Sequence, residues 1–492
     1  MNRAPLARLG ALAAAMLALG ATAAPAWGAD ATFEGESMTL APGASGLDTF
    51  DAAADLPSRR TLALWNNGAA TKPVSVPQST THLLVRVRGE DCQGAPNVLI
   101  KIDGAERYSG PVSTSGYRGV GFRLSIPAGS HTVSINMTND HSLFVGAQKI
   151  CDRNVYVDHV RVVGQPFAST GWRNAPLSDD APLAPNSAAL AGDVQWQLTH
   201  PVARANGTFA PDVWVTTTEG YSVPVYVVNK DQPTVAVAPR ARTLGGQPAY
   251  MGDQWDAVPL PPDAQPSTGE GALVVWQPET NTLWEFFELE KDALGRWSAE
   301  FGGRMQNVSS HEGQYENPPG RGYGASATSI SLLAGLPRIE ELKRGVIDHA
   351  IDFAVMNSKG RDGWCWPAHR TDPGHTRTDS AAIPGGARFR LRASFDLEAW
   401  ASTHSMHPYG LMVARAIQRY GMVARDQGEG FGFWAEDPAP TGSDPYWGSG
   451  GLFGGANPNG AGVFRDFPWH ELQALAQPSD PDKGCEDDPD VD

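Results

Sequence analysis

The chain has 492 residues, with 54 Gly, 39 Pro, 15 Trp and a formal net charge of -16. That length suffices for two or three domains with full-sized cores, and the Gly/Pro content with little long helical periodicity favours turn-rich β structure. The acidic balance excludes nucleic acid or an anionic membrane as the main partner, because either would demand a basic face.

The start of the chain reads as an export signal. Arg3 and Arg8 form a basic beginning, Leu9 to Ala24 an apolar core, and Ala26-Trp27-Gly28 a cleavage region. Residues 1–28 are therefore expected to be a signal peptide, and the protein to be secreted, extracellular or periplasmic. The apolar core is short and ends in Pro and Gly, which argues against a membrane anchor. An even number of cysteines in an exported chain reads as disulfides. Cys92 and Cys151 fall in one domain and are expected to pair; Cys365 and Cys485 are the remaining candidates. The cysteines are scattered without a CxxC pair, which argues against zinc.

Residues 31–164 alternate apolar and polar positions in runs such as His82-Leu-Leu-Val-Arg-Val-Arg, Asn97-Val-Leu-Ile-Lys-Ile, His131-Thr-Val-Ser-Ile-Asn-Met and Val155-Tyr-Val-Asp-His-Val-Arg. That is the period of half-buried strands, and a β-sandwich is expected. Within it, Arg88-Gly-Glu-Asp-Cys92-Gln-Gly-Ala-Pro96, Ile102-Asp-Gly104, Asn139-Asp140 and Cys151-Asp-Arg-Asn-Val-Tyr-Val-Asp158 resemble the calcium-dependent, xylan-binding carbohydrate-binding modules of families 36 and 60. The resemblance implies a sandwich that grips a sugar diol through a bound Ca2+. It implies Asp152, then Asp140, as ligands of that ion. The opening Phe33-Glu34-Gly-Glu36 resembles a glutamate pair that holds a structural calcium together with an aspartate on the last strand, by position Asp158.

Gln165 to Asn186 is rich in Pro, Ser, Asp and Ala and reads as a linker or an irregular domain edge. Residues 187–476 read as a larger, mainly β domain of jelly-roll type. Strands are expected at Val194-Gln-Trp-Gln-Leu, Asp212 to Thr217, Val223 to Val228, Ala272 to Trp276, Leu283 to Leu289 and Trp297 to Phe301. Helices are expected after Pro337, running towards His349, over Tyr409 to Tyr420, and from Phe467. This region is similar to a class of secreted bacterial proteins in which a Trp-Glu-Phe strand, a Gly-Gly-Arg-Met turn and a Gly-Ala-Arg-Phe-Arg-Leu segment recur; that resemblance supplies no activity. Residues 477–492 read as an acidic, disordered tail.

A glycosidase needs two carboxyls flanking the scissile bond. Glu285, set among aromatics in Leu-Trp-Glu-Phe-Phe, is the leading catalytic candidate, with Asp253 or Asp256 of Gly-Asp-Gln-Trp-Asp as its partner. In a strand, Glu285 shares a face with Phe287, away from Glu288 and Glu290. His349 beside Asp348, or His369 with Arg370, would instead serve a polysaccharide lyase. No GxSxG elbow, HExxH or phosphate loop is present. The expectation is a secreted, monomeric glycoside hydrolase acting on a xylan-like cell-wall polysaccharide. Non-catalytic polysaccharide binding and lyase chemistry are the alternatives. Trp255, Trp364 and Trp366 are candidates for stacking on sugar faces.

Overall fold

The computed structural model describes residues 31–199, 202–203, 209–210, 213–217, 220–240, 253–315, 324–356, 358–360, 363–371, 377–428, 430–455, 462–478 and 484–486. The expected signal peptide, most of the expected acidic tail, and Asp212 lie outside these residues. The protein is mainly β, with several sheets and few short helices, as its alternating runs imply.

Residues 31–163 form two facing antiparallel sheets. One has the order Gly46–Phe50, Arg60–Leu64, Asn154–Val163, His82–Glu90, Arg118–Arg123, with Ala31–Glu34 also pairing on Asn154–Val163. The other runs Thr39–Leu40, Gly68–Val76, Gly129–Met137, Asn97–Ile102, Ala105–Pro111. The alternation places Val85, Val87, Ile100, Ile135, Val155 and Val157 in a shared core. Asp103 and Gly104, both at positive φ, turn the chain between two strands.

The larger part is built on two main sheets that mix parallel and antiparallel pairs. A six-stranded sheet runs Trp214–Thr216, Gly432–Trp434, Ile351–Val355, Met422–Gln427, Arg388–Leu391, Leu472–Ala474. The helices Ser187–Thr199 and Pro408–Arg419 bury Val194, Leu198, Val413 and Ile417 in the core that includes this sheet's Phe353, Phe389 and Phe433. A five-stranded sheet runs Phe301–Gln306, Thr282–Phe287, Leu273–Gln277, Val223–Val227, Glu436–Asp437. It is covered on both faces: Leu283 and Val274 belong to one core, Trp284, Phe286 and Val275 to another.

Three expectations are corrected here. Val194-Gln-Trp-Gln-Leu is helix, not strand: Val194 and Leu198 are buried one turn apart while Trp196 points to solvent. The helix after Pro337 ends at Arg344, where Gly345 at positive φ caps it, so His349 stands in the loop before Ile351–Val355. The stretch 165–186 is not a free linker. Phe167, Trp172, Arg173 and Asn174 are buried, and Arg173 meets Asp352 at 2.6 Å.

The sandwich and the larger part share a core and polar contacts. Leu84 and Val163 pack in one cluster with Phe167 and Val225. Arg123 meets Glu340 at 2.8 Å and Glu436 at 2.7 Å, while Arg86 is paired with Asp55 and Asp231.

Candidate functional site

At one end of the sandwich, three loops converge around residues 90–95, 138–142 and 151–154. The Cys92–Cys151 disulfide joins the first to the third. Arg153 staples all three: its guanidinium donates to the carbonyls of Gly94 at 2.9 Å, Cys92 at 2.7 Å and Gln93 at 3.1 Å, and also to the carbonyl of Asn139. Asn139 donates to the Ala95 carbonyl at 3.0 Å, and Asn154 to Glu90 at 2.7 Å. A planar five-donor cation is suited to bridging several carbonyls at once.

This scaffold lines an open cleft formed by Arg88 to Asp91, Thr114, Cys151 and Asp152. Arg88 is held by Asp51 at 2.7 Å and lies over the Tyr156 ring at 4.1 Å. Asp152 ends the short hairpin Ser142–Val145/Gln148–Asp152. Its carboxylate accepts from Ser142 Oγ at 2.5 Å and from Lys149 Nζ at 2.9 Å. Burial works to raise that carboxyl, but Lys149 and Ser142 outweigh it and hold it below its usual value. Asp140 sits nearby in sequence on the second loop, with its backbone N–H on Asn67 at 2.7 Å and its buried Oδ1 without a hydrogen-bond partner. Of the two expected ligands, Asp152 lines the cleft and Asp140 does not; Glu90, Asp91 and Thr114 in the cleft, and Arg153 as the staple, were not singled out from the sequence.

A second acidic group lies where the first strand meets the last. Gly35 lets the turn after Glu34 lie directly on the final strand, since a Cβ there would fall 1.9 Å from the Val157 carbonyl. Glu34 and Glu36 share Ser58 as a hydroxyl donor. Burial, and then the hydrogen bond with Glu34, push Glu36 up to about 7, while Glu34 is lowered by its bonds to Glu36 and Ser58. Asp158 sits at a register shift in its strand; its Oδ2 accepts from the Asp55 amide at 3.1 Å and faces His159 Nδ1 at 3.0 Å. Glu36 Oε2, Asp48 Oδ1 and Asp158 Oδ1 are buried without a hydrogen-bond partner. Among the described residues, no group of three or more His, Cys, Asp or Glu is arranged to hold a metal. The orphaned carboxylate oxygens are nevertheless the donor type a calcium ion takes.

The expected carboxylate pair of the larger part is not brought together. Glu285 is fully buried on the strand Thr282–Phe287. Its Oε1 accepts from the Ala325 amide at 3.0 Å, and its Oε2 from Ser331 Oγ and the Leu332 amide, each at 2.9 Å. The face carrying Glu285 is covered by the segment around 324–336, so no cleft opens there. Burial pushes its carboxyl up to about 7 against those three donors. Asp253 and Asp256 are exposed, flanking Trp255, which is itself buried against Phe286. Glu285 is thus a structural carboxylate: a polar side chain among aromatics was read as catalytic, whereas it holds a neighbouring segment in place.

The lyase groups are also engaged elsewhere. Both ring nitrogens of His349 face acceptors, the Ala350 carbonyl at 2.9 Å and Glu341 at 3.2 Å, inside a buried network with Arg338 and Gln165. Arg370 donates to the Ser326 carbonyl. Trp255 and Trp366 are core residues, and Trp364 is half-buried.

Residues 82–172 match a family model described as a Ca-dependent, xylan-binding carbohydrate-binding module. No curated protein matches the chain. Among solved structures, the chain is similar to the CBM36-1 domain of a multidomain xylanase from the hindgut metagenome of Trinervitermes trinervoides, at 18% identity over 28% of this chain and 98% of that one, with a TM-score of 0.22. It is similar to a CBM36 carbohydrate-binding module in complex with calcium and xylotriose, at 21% identity over 26% of this chain and 97% of that one, TM-score 0.20. It is also similar to a glycoside hydrolase family 43 arabinoxylan arabinofuranohydrolase from Bacillus subtilis, at 12% identity over 27% of each chain, TM-score 0.22. Over residues 82–172, then, the chain resembles the Ca-dependent, xylan-binding carbohydrate-binding module family.

Proposed function

We propose that the protein is an exported polysaccharide-binding protein whose sandwich holds a xylan-type chain, through calcium, at the cleft beside Asp152. The observation that carries this reading is the family match over residues 82–172, which spans the stapled loops and the cleft. Calcium, when bound, would supply exchangeable positions that vicinal sugar hydroxyls can fill. Asp152, with Asp140, would hold that ion. Glu34, Glu36 and Asp158 would hold a second, structural one. The chain's own contribution is preorganisation: Arg153 and the Cys92–Cys151 bridge fix the loops before ligand arrives, so less ordering is left to oppose binding.

Two disulfides suit an oxidising compartment outside the cytoplasm, and no helix among the described residues is long and apolar enough to cross a membrane. Hydrolysis by the pair Glu285 with Asp253 or Asp256 finds no support, because Glu285 is buried and committed to three protein donors. Binding is therefore favoured over catalysis. The test is affinity electrophoresis in soluble xylan with calcium and with EDTA. Retardation that needs calcium and is lost in Asp152→Ala supports the reading; migration indifferent to xylan under both conditions defeats it.

A further inference from the structure

The outer face of one sheet of the sandwich is covered along only part of its length. On the strand His82–Glu90, Leu84 packs in a core shared with Phe167 and Val225, and Arg86 is paired with Asp231. The larger part therefore covers this face as far as Arg86. By the period of the strand, Arg88 and then Glu90 project from the same face. Both line the open cleft that Asp152 also lines.

From Arg88 the strand register carries the open face to the edge of the sheet. Arg88 stands opposite Tyr156, Tyr156 opposite Ala63, and Ala63 opposite Leu47. Leu62 and Leu64 face the inner core, which turns Ala63 and Trp65 outwards. The Trp65 amide donates to the Ser45 carbonyl at 2.9 Å, continuing the pairing of Leu64 with Gly46. Trp65 is 42% exposed and its diagonal neighbour Leu47 is 53% exposed, while Tyr156 is half-buried. An indole beside an isobutyl group at an open sheet edge is an apolar patch of the kind that marks an interaction surface.

Two observations select the occupant. The patch is continuous with the cleft through Tyr156 and Arg88, whose guanidinium lies 4.1 Å over the Tyr156 ring. The polar groups along the strip are engaged: Arg88 is tied to Asp51 at 2.7 Å, and Glu90 accepts from Asn154 at 2.7 Å. The strip thus offers ring faces with satisfied charges, which suits an uncharged sugar chain. We propose that this face is a second contact for the polysaccharide held in the cleft: the chain runs from Asp152 past the Arg88–Tyr156 pair to Trp65, whose ring stacks on a sugar unit further along. This rests on the reading of the cleft as the polysaccharide site. Trp65 is the one tryptophan of residues 31–163. It takes the role that the sequence suggested for Trp255 and Trp366, which are core residues.

The experiment is calorimetric titration of the full chain in calcium with xylotriose and xylohexaose. The wild type is expected to bind the longer ligand at least about tenfold more tightly, a difference of about 1.4 kcal/mol. In Trp65→Ala that ratio is expected to fall to the few-fold statistical advantage of a longer chain, and Trp65→Tyr, which keeps a ring, to retain most of it. Oxidation by N-bromosuccinimide, followed by peptide mass spectrometry on the wild type, is an independent readout. Xylohexaose is expected to protect Trp65 and to leave the exposed Trp196 and Trp447 reactive. Xylotriose bound without a gain for xylohexaose, an undiminished ratio in folded Trp65→Ala, or an unprotected Trp65 would overturn the second contact alone. Failure of the wild type to bind either ligand would defeat the reading of the cleft and this contact with it. Self-association that Trp65→Ala abolishes, without a length-dependent gain, would assign the patch to a protein contact instead.

Discussion

The Glu285 carboxylate accepts the Ser331 hydroxyl at 2.9 Å across the buried boundary between the strand Thr282–Phe287 and the segment that covers it. With the Ala325 and Leu332 amides on the same carboxylate, one side chain fixes three points of the covering segment. Above about pH 7, where the carboxyl is ionised, Glu285→Gln turns one acceptor oxygen into a donor facing donors, and should cost about 1–3 kcal/mol in urea denaturation, with xylan retention unchanged. Its pH signature has a definite sign. Burial raises the folded carboxyl to about 7, above an unfolded value of about 4.3. The native state then binds the extra proton, so the group's contribution is fully present below the unfolded value and is lost as pH rises through about 7. Glu285's share is about 4 kcal/mol at 1.36 kcal/mol per unit. Burial raises Glu36, Glu270 and Glu340 to about 7 as well, so part of the slope belongs to them. Denaturation curves at about pH 5 and about pH 7.5 should differ less in Glu285→Gln than in the wild type.

The Cys92–Cys151 bridge closes a loop of 59 residues in sequence separation. Chain entropy sets its contribution at up to about 4 kcal/mol, and native bridges typically give about 2–5 kcal/mol. Replacing both cysteines by serine should lower stability by that amount. It should also weaken xylan binding while leaving the fold intact by circular dichroism, because the bridge ties the Asp152 loop to the cleft wall.

Glu36 carries a proton up to about pH 7 beside Glu34, and Asp158 presents a buried oxygen without a partner. A calcium ion bound there must displace that proton. Calcium should raise the melting temperature, with affinity falling as pH drops below about 7. Calorimetry in buffers of different ionisation enthalpy should show proton release on binding, and Glu36→Gln should abolish the release.

Asp352 is the single buried acid between two guanidiniums, Arg173 at 2.6 Å and Arg425 at 3.3 Å, and Arg425 also stacks on Trp434 at 3.8 Å. Asp352→Asn leaves both cations uncompensated in the core and should cost about 3–5 kcal/mol. Equilibrium denaturation measures it directly.

The sandwich was legible in the sequence because strand alternation is a local signal. The run His131 to Met137 buries Val133, Ile135 and Met137 on one face, as the period of two demands. The Cys-Asp-Arg-Asn motif likewise pointed to the loops that converge. What was not legible depends on non-local packing. Val194-Gln-Trp-Gln-Leu fits a strand or one turn of helix equally well, and only the core it meets decides. The Pro/Ser-rich stretch 165–186 looked solvated because its composition hides Trp172 and Arg173, whose partners lie far along the chain. Glu285 was misread for the same reason: its three donors come from residues some 40 positions away, which no local pattern reveals.

The proposed function is calcium-dependent polysaccharide binding, in which Glu285 takes no part in hydrolysis. The most direct measurement incubates the full chain with xylan and calcium and follows both retention of the protein on the polymer and release of new reducing ends. The account predicts retention that EDTA or Asp152→Ala abolishes, with no new reducing ends. Release of reducing ends that disappears in Glu285→Gln, or retention indifferent to EDTA, would contradict it.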